Sequence, residues 1–136
     1  MRWLKLGILV LACFSILGCM GNQPTKEVEL FHEQIKLYGK LIRWQGYQEA
    51  YGYVEVREGQ AITPDWDLLK EIRVTSYKIG KIVLNEEQTE AQVEARIDYY
   101  HERVNSVHEI VDRQTWWYNE ELGLWRLDGP LPPFQK

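Results

Sequence analysis

Through residues 72–84, 91–101, 107–118 and 124–127, apolar and polar side chains alternate with a period of two, and turn-forming residues separate the four stretches. That pattern constrains this chain most. A half-buried strand turns successive side chains to opposite faces, and connections of only a few residues join antiparallel neighbours, so the expectation is a four-stranded antiparallel meander. The second stretch is the cleanest: Ala91, Val93, Ala95, Ile97 and Tyr99 share one face, and Gln92, Glu94, Arg96 and Asp98 the other. The first stretch changes phase near Tyr77 to Gly80, which predicts a β-bulge that bends it.

Upstream the periodicity is helical. Val28, Phe31, Ile35, Tyr38 and Ile42 recur every three or four residues, Thr25 is a natural N-cap with Glu27 in the first turn, and Gly46 is a natural stop. Leu41 and Trp44 widen the apolar stripe. Residues 47–57 read either as a short helix or as a strand, and the run Tyr51-Gly52-Tyr53-Val54-Glu55-Val56 favours the strand. Thr63-Pro64-Asp65 supplies a cap, an N1 proline and an early acid, so a short helix is expected over residues 64–70. The end from Gly129 to Phe134 is proline-rich and unsuited to a central strand.

Face assignment follows from register. With a loop at Val104-Asn105-Ser106, Tyr99 faces Val111, Ala95 faces Thr115 and Val93 faces Trp117; a two-residue turn at Val104-Asn105 would instead set Ile97 against Asp112. We adopt the former. Continuing through residues 119–123, Trp117 falls opposite Trp125 and Thr115 opposite Leu127, so the core face collects Val93, Trp117 and Trp125. Tyr38, Trp44, Tyr99, Trp117 and Trp125 are then the expected core or pocket lining, two readings that aromatic content leaves open. Asp112, Trp116, Tyr118 and Arg126 point the other way and form a candidate contact face, on which Ile110, Trp116 and Tyr118 would also permit a homodimer.

The first 18 residues have a separate logic. Arg2 and Lys5 precede an apolar run from Leu6 to Leu17, the length of a secretory signal rather than of a bilayer span, and Ile16-Leu17-Gly18-Cys19 closes it. The segment resembles a bacterial lipoprotein signal, which implies cleavage after residue 18 and acylation of Cys19. Residues 19–25 would be a tether and residues 26–136 a single α+β domain. Cleavage would also discard Cys13, leaving no partner for a disulfide. The loss of Arg2 and Lys5 makes the chain more acidic than its formal net charge of −4, which disfavours nucleic acid and leaves no polybasic run for anionic lipid. Membrane attachment then rests on the acyl chains. Met20, rather than an aspartate, follows the cysteine, which by resemblance to enterobacterial sorting implies the outer membrane facing the periplasm.

Compact catalytic strings are absent: the sequence has no Gly-x-Ser-x-Gly elbow, phosphate-binding glycine loop, Cys-x-x-Cys or His-Glu-x-x-His. His101 and His108 would adjoin only in the rejected register, and His32 beside Glu33 reads as solvated helix face, so no metal or cofactor is expected. Asp98 and Asp112 would face each other on the outer surface as a solvated pair.

Residues 28–44, 64–70 and 72–127, with Trp117, Trp125 and Arg126, form a long helix, a short helix and a bent four-stranded meander. That order resembles the nuclear transport factor 2-like, or cystatin-like, superfamily. The resemblance implies a cone of curved sheet around helices, found both in ketosteroid-isomerase-like and polyketide-cyclase-like enzymes and in non-catalytic binding and assembly modules. The expected function is a lipid-anchored envelope protein that binds a small apolar ligand, a peptide or another envelope protein. The alternatives are a small isomerase- or cyclase-like enzyme using Asp112 with a tyrosine, which requires the opposite face assignment, and a structural subunit of an envelope complex.

Overall fold

The structure, a computed structural model, describes residues 23–136; the signal segment 1–18, Cys19 and the first residues of the tether lie outside the described residues. Helix α1 spans Lys26–Arg43. The Thr25 hydroxyl accepts the Val28 N–H at 3.3 Å, and Glu27 and Glu29 in the first turn with Lys40 and Arg43 in the last complement the helix dipole. Its stop lies one residue before the expected glycine. Gln45 takes φ 65°, and the Gly46 N–H donates to Leu41 O at 2.7 Å, closing a Schellman motif around a non-glycine residue.

Residues 47–57 correct the strand expectation. Tyr47–Tyr51 forms helix α2, and only Val54 makes a bridge, to Leu127. The reason is that Tyr47 and Ala50, three residues apart, bury the same side of one turn. Helix α3 is Trp66–Glu71, capped by the Asp65 carboxylate accepting the Leu68 N–H at 3.0 Å, so Asp65 and not Thr63 is the cap.

The sheet has the expected order: β1 Ile72–Leu84, β2 Glu90–His101, β3 Ser106–Asn119 and β4 Leu124–Leu127, all antiparallel neighbours. The fold is α+β, a curved open sheet of four strands with α1 packed on its concave face. Register shifts interrupt β1 between Val74 and Ser76 and between Ile79 and Ile82. Two bulges therefore bend the strand where one was expected.

Register is where the sequence reading fails. His101 pairs with Ser106 across a four-residue loop ending in Asn105 at φ 55°, so Tyr99 lies opposite His108, Ala95 opposite Asp112 and Ala91 opposite Trp116. A shift of three residues, like any odd shift, exchanges the two faces of a strand. Asp112, Trp116 and Tyr118 consequently turn inward, and Trp117 turns outward, where its Nε1–H donates to Glu55 O at 3.0 Å. The β3–β4 register also moves by one, pairing Tyr118 with Trp125 and Trp116 with Leu127. Two further expectations change with it. Asp98 lies opposite Glu109 instead of Asp112, and Trp44 is 73% exposed, its ring under the Arg43 guanidinium at 4.3 Å, because it follows the last turn of α1.

Between α1 and the sheet, rings fill the space. Trp116 meets Tyr38 edge-on at 5.3 Å, and Trp125 lies 4.7 Å from Phe31, centroid to centroid. The Trp125 indole N–H donates to Glu27 O, and the buried Gln34 carbonyl accepts the Trp125 backbone N–H, both at 2.8 Å. The proline-rich end stays outside the sheet and closes one end of the core: Phe134 stacks edge-on with Tyr99 at 4.9 Å, and Gln135 N donates to the Tyr99 hydroxyl at 2.9 Å.

Helix and sheet approach closely at Gly39, where a Cβ would lie 2.6 Å from the Tyr77 ring. Gly39→Ala is expected to displace that ring and lower stability by about 1–3 kcal/mol, read as a shift in the urea midpoint at unchanged slope. A neutral result would show that the ring moves freely.

Candidate functional site

The alternation of β3 places Asp112, Gln114 and Trp116 in a row on the concave face, and all three are buried. Their side chains form one directed chain. The Trp116 indole N–H donates to the Gln114 carbonyl oxygen at 2.9 Å, and the Gln114 amide donates to the Asp112 carboxylate at 2.8 Å and to the Tyr77 hydroxyl at 2.9 Å. Indole is donor only and carboxylate acceptor only, which orients the amide uniquely. Tyr38, from α1, completes the cluster; its buried hydroxyl makes no hydrogen bond among the described residues.

Electrostatics follow from burial. Asp112 is 6% exposed, and desolvation pushes its pKa up to about 6 against the opposing hydrogen bond from Gln114. Burial also raises the Tyr38 and Tyr77 hydroxyls; for Tyr77 the bond from Gln114 opposes the shift, and the Asp112 charge adds to it at both tyrosines. A carboxyl near 6 flanked by two phenols is chemically suited to proton transfer.

The expected sites divide between the faces. Tyr38, Tyr99 and Trp125 are in the core, whereas Trp44 is on the surface and Trp117 is half-buried on the convex side. Of the expected contact face, Asp112 and Trp116 are interior, and half-buried Tyr118 packs on Trp125 at 5.7 Å. Arg126 is held by the Glu55 carboxylate at 2.9 Å and Gly52 O at 2.8 Å. An outer dimer face built on Trp116 and Tyr118 is therefore ruled out by their orientation. Gln114 and Tyr77 were missed, although the two-residue spacing Asp112, Gln114, Trp116 put three hydrogen-bonding side chains on one face whichever way it turned.

His101 and His108 are not opposite each other: His101 pairs with Ser106 and His108 with Tyr99. His101, 3% exposed, contacts Glu71 through Nε2 at 2.8 Å, and Arg103 holds the other Glu71 oxygen at 2.7 Å. This cluster ties the β2–β3 loop to the junction of α3 and β1. His108 stacks on Tyr99 at 5.1 Å. Among the described residues no three side chains are arranged to hold a metal ion.

Clefts open on the outside. One of about 360 Å³ runs between residues 62–69 and the proline-rich end, and another of about 350 Å³ lies between α2, α3 and Arg73. Asp112 and Gln114 line neither. In comparisons with known proteins the chain matches no family model and, at significance, no curated protein.

Because Asp112 is harder to ionise when folded, its contribution to stability is full below the unfolded carboxyl value and is lost as pH rises through about 6. The difference is about 3 kcal/mol. Asp112→Asn should therefore raise stability at pH 7–8 and flatten the pH dependence of the urea midpoint between about pH 4 and 7. A variant that is less stable at pH 8 would contradict this account.

Proposed function

We propose that this chain is a lipid-anchored cell-envelope protein whose α+β domain serves as a binding or assembly module. The supporting observation is the filled concave side of the sheet. Phe31, Tyr38, Trp116 and Trp125 occupy it with essentially no exposure, so the clefts described above lie on the outside. A partner would meet that outer surface. The sequence resemblance to the nuclear transport factor 2-like superfamily supports this reading, since that superfamily's non-catalytic members fit this use. Cys19 carries the anchor in this reading. Among the described residues no helix is long and apolar enough to cross a membrane.

One observation favours the catalytic alternative: Asp112 faces inward with a raised pKa beside Tyr38 and Tyr77. Its weakness is access, since a general base must come within hydrogen-bond reach of a substrate proton. Deuterium exchange at the α-carbon of the enolisable ketone β-tetralone separates the readings. Equal exchange with the wild type and with Asp112→Asn is expected for a module, and exchange that only the wild type accelerates would establish the enzyme.

For the anchor, alkyne-palmitate fed to expressing bacteria should label the wild type and leave Cys19→Ala unlabelled, with the variant moving from the membrane to the soluble fraction. Label retained by Cys19→Ala, or missing from the wild type, would refute acylation at this residue.

A further inference from the structure

Helix formation aligns three cations from one short stretch of the sequence. Lys36, Lys40 and Arg43, spaced four and three residues apart on α1, line one cleft of about 300 Å³ together with Gly39 of the same helix and Tyr77 and Ile79 of β1. None of the three makes an ion pair with a carboxylate among the described residues. The exposed acids of α1, Glu27, Glu29 and Glu33, lie nearer its start, so its last two turns present cations alone. Two large apolar side chains are exposed on the same stretch, Leu37 at 51% and Trp44 at 73%. Cations beside an exposed leucine and tryptophan suit the boundary between lipid headgroups and acyl chains, where indole sits readily and cations meet phosphates.

We infer that this end of α1 is the face that the domain lays on an anionic phospholipid surface, an inference that rests on the proposed anchor at Cys19. Chain length supports the choice of occupant. The seven residues from Cys19 to Lys26 reach at most about 25 Å, about the length of α1 itself, so an acylated chain holds the whole helix within reach of the bilayer. Such tethering raises the local lipid concentration enough for a weak surface contact to be occupied. Charge supplies the orientation. The chain is acidic overall, at a formal −4, so an anionic surface repels the bulk of the domain and attracts the patch.

The test uses full-length protein isolated from bacterial membranes and reconstituted into vesicles of phosphatidylcholine, with or without phosphatidylglycerol, carrying brominated acyl chains. Trp44 fluorescence is obtained as the difference between wild type and Trp44→Phe. Quenching is expected only with phosphatidylglycerol, falling at high salt and requiring roughly 30-fold more phosphatidylglycerol surface in Lys36→Gln/Lys40→Gln. Both lysines are exposed and, among the described residues, neither side chain makes an ion pair whose loss would confound the result with unfolding; an unchanged thermal transition checks it. The mass of the amino-terminal peptide of the same sample reports the anchor separately. Acylated protein whose Trp44 stays unquenched overturns the docking and leaves the anchor standing. Unacylated protein that still binds phosphatidylglycerol vesicles through the two lysines supports the docking and removes the anchor. Release by inorganic phosphate beyond that by sodium chloride of equal ionic strength would assign the patch to a free anion instead. Shielding of Trp44 by self-association without vesicles would assign it to a second copy. Either result overturns the inference.

Discussion

The contact between Trp116 and Tyr38 organises this domain. It joins the middle of β3 to the buried face of α1, and it exists only if β3 turns Trp116 inward. Everything else on that strand follows, because side chains two apart share a face. Gln114 and Asp112 are carried into the interior with the indole, and Trp117 is carried out to the convex side. A buried indole N–H needs an acceptor, and Gln114 provides one; the remaining amide protons then find Asp112 and Tyr77. The polar chain is thus a consequence of where one tryptophan packs.

That chain sits in a core that is otherwise apolar and aromatic. Asp112 is its least favourable member, since burial opposes ionisation and a single amide only partly compensates. Carrying such a group lowers stability near neutrality. The filled surroundings argue against substrate access, and specification of a single β3 register is the role the geometry suits, since the partners of Gln114 are in place in only one alignment.

The rest of the surface is built by closure. The proline-rich end covers Tyr99 and Tyr47 through Phe134, and the segment after α2 covers the outer edge of β4 through backbone bonds between Leu127 and both Tyr53 and Glu55. β1 is blunted by two bulges and by Arg43, Gln45 and Tyr47, which bond to its first carbonyls. These devices leave clefts and helix faces, rather than sheet edges, as the exposed surface.

Much of this was legible in the residues. Period-two runs gave the extents of β1 and β4 directly and those of β2 and β3 to within a residue, and the stripe from Val28 to Ile42 gave α1 and its buried side. Local chemistry is enough for that, because alternation, caps and turn residues act over a few positions. Neither the register of β3 nor the fate of residues 47–51 was legible. β3 carries large aromatics in both phases, Trp116 and Tyr118 in one and Trp117 in the other, so its own pattern names no inner face. The choice was made by Asn105 in the left-handed region closing a four-residue loop and by the fit of Trp116 against a helix some eighty residues earlier. Strongly periodic elements are set by neighbours in sequence, but which side of a strand is buried, and whether a short ambiguous run such as residues 47–51 becomes helix, depends on what distant parts of the chain can pack against it.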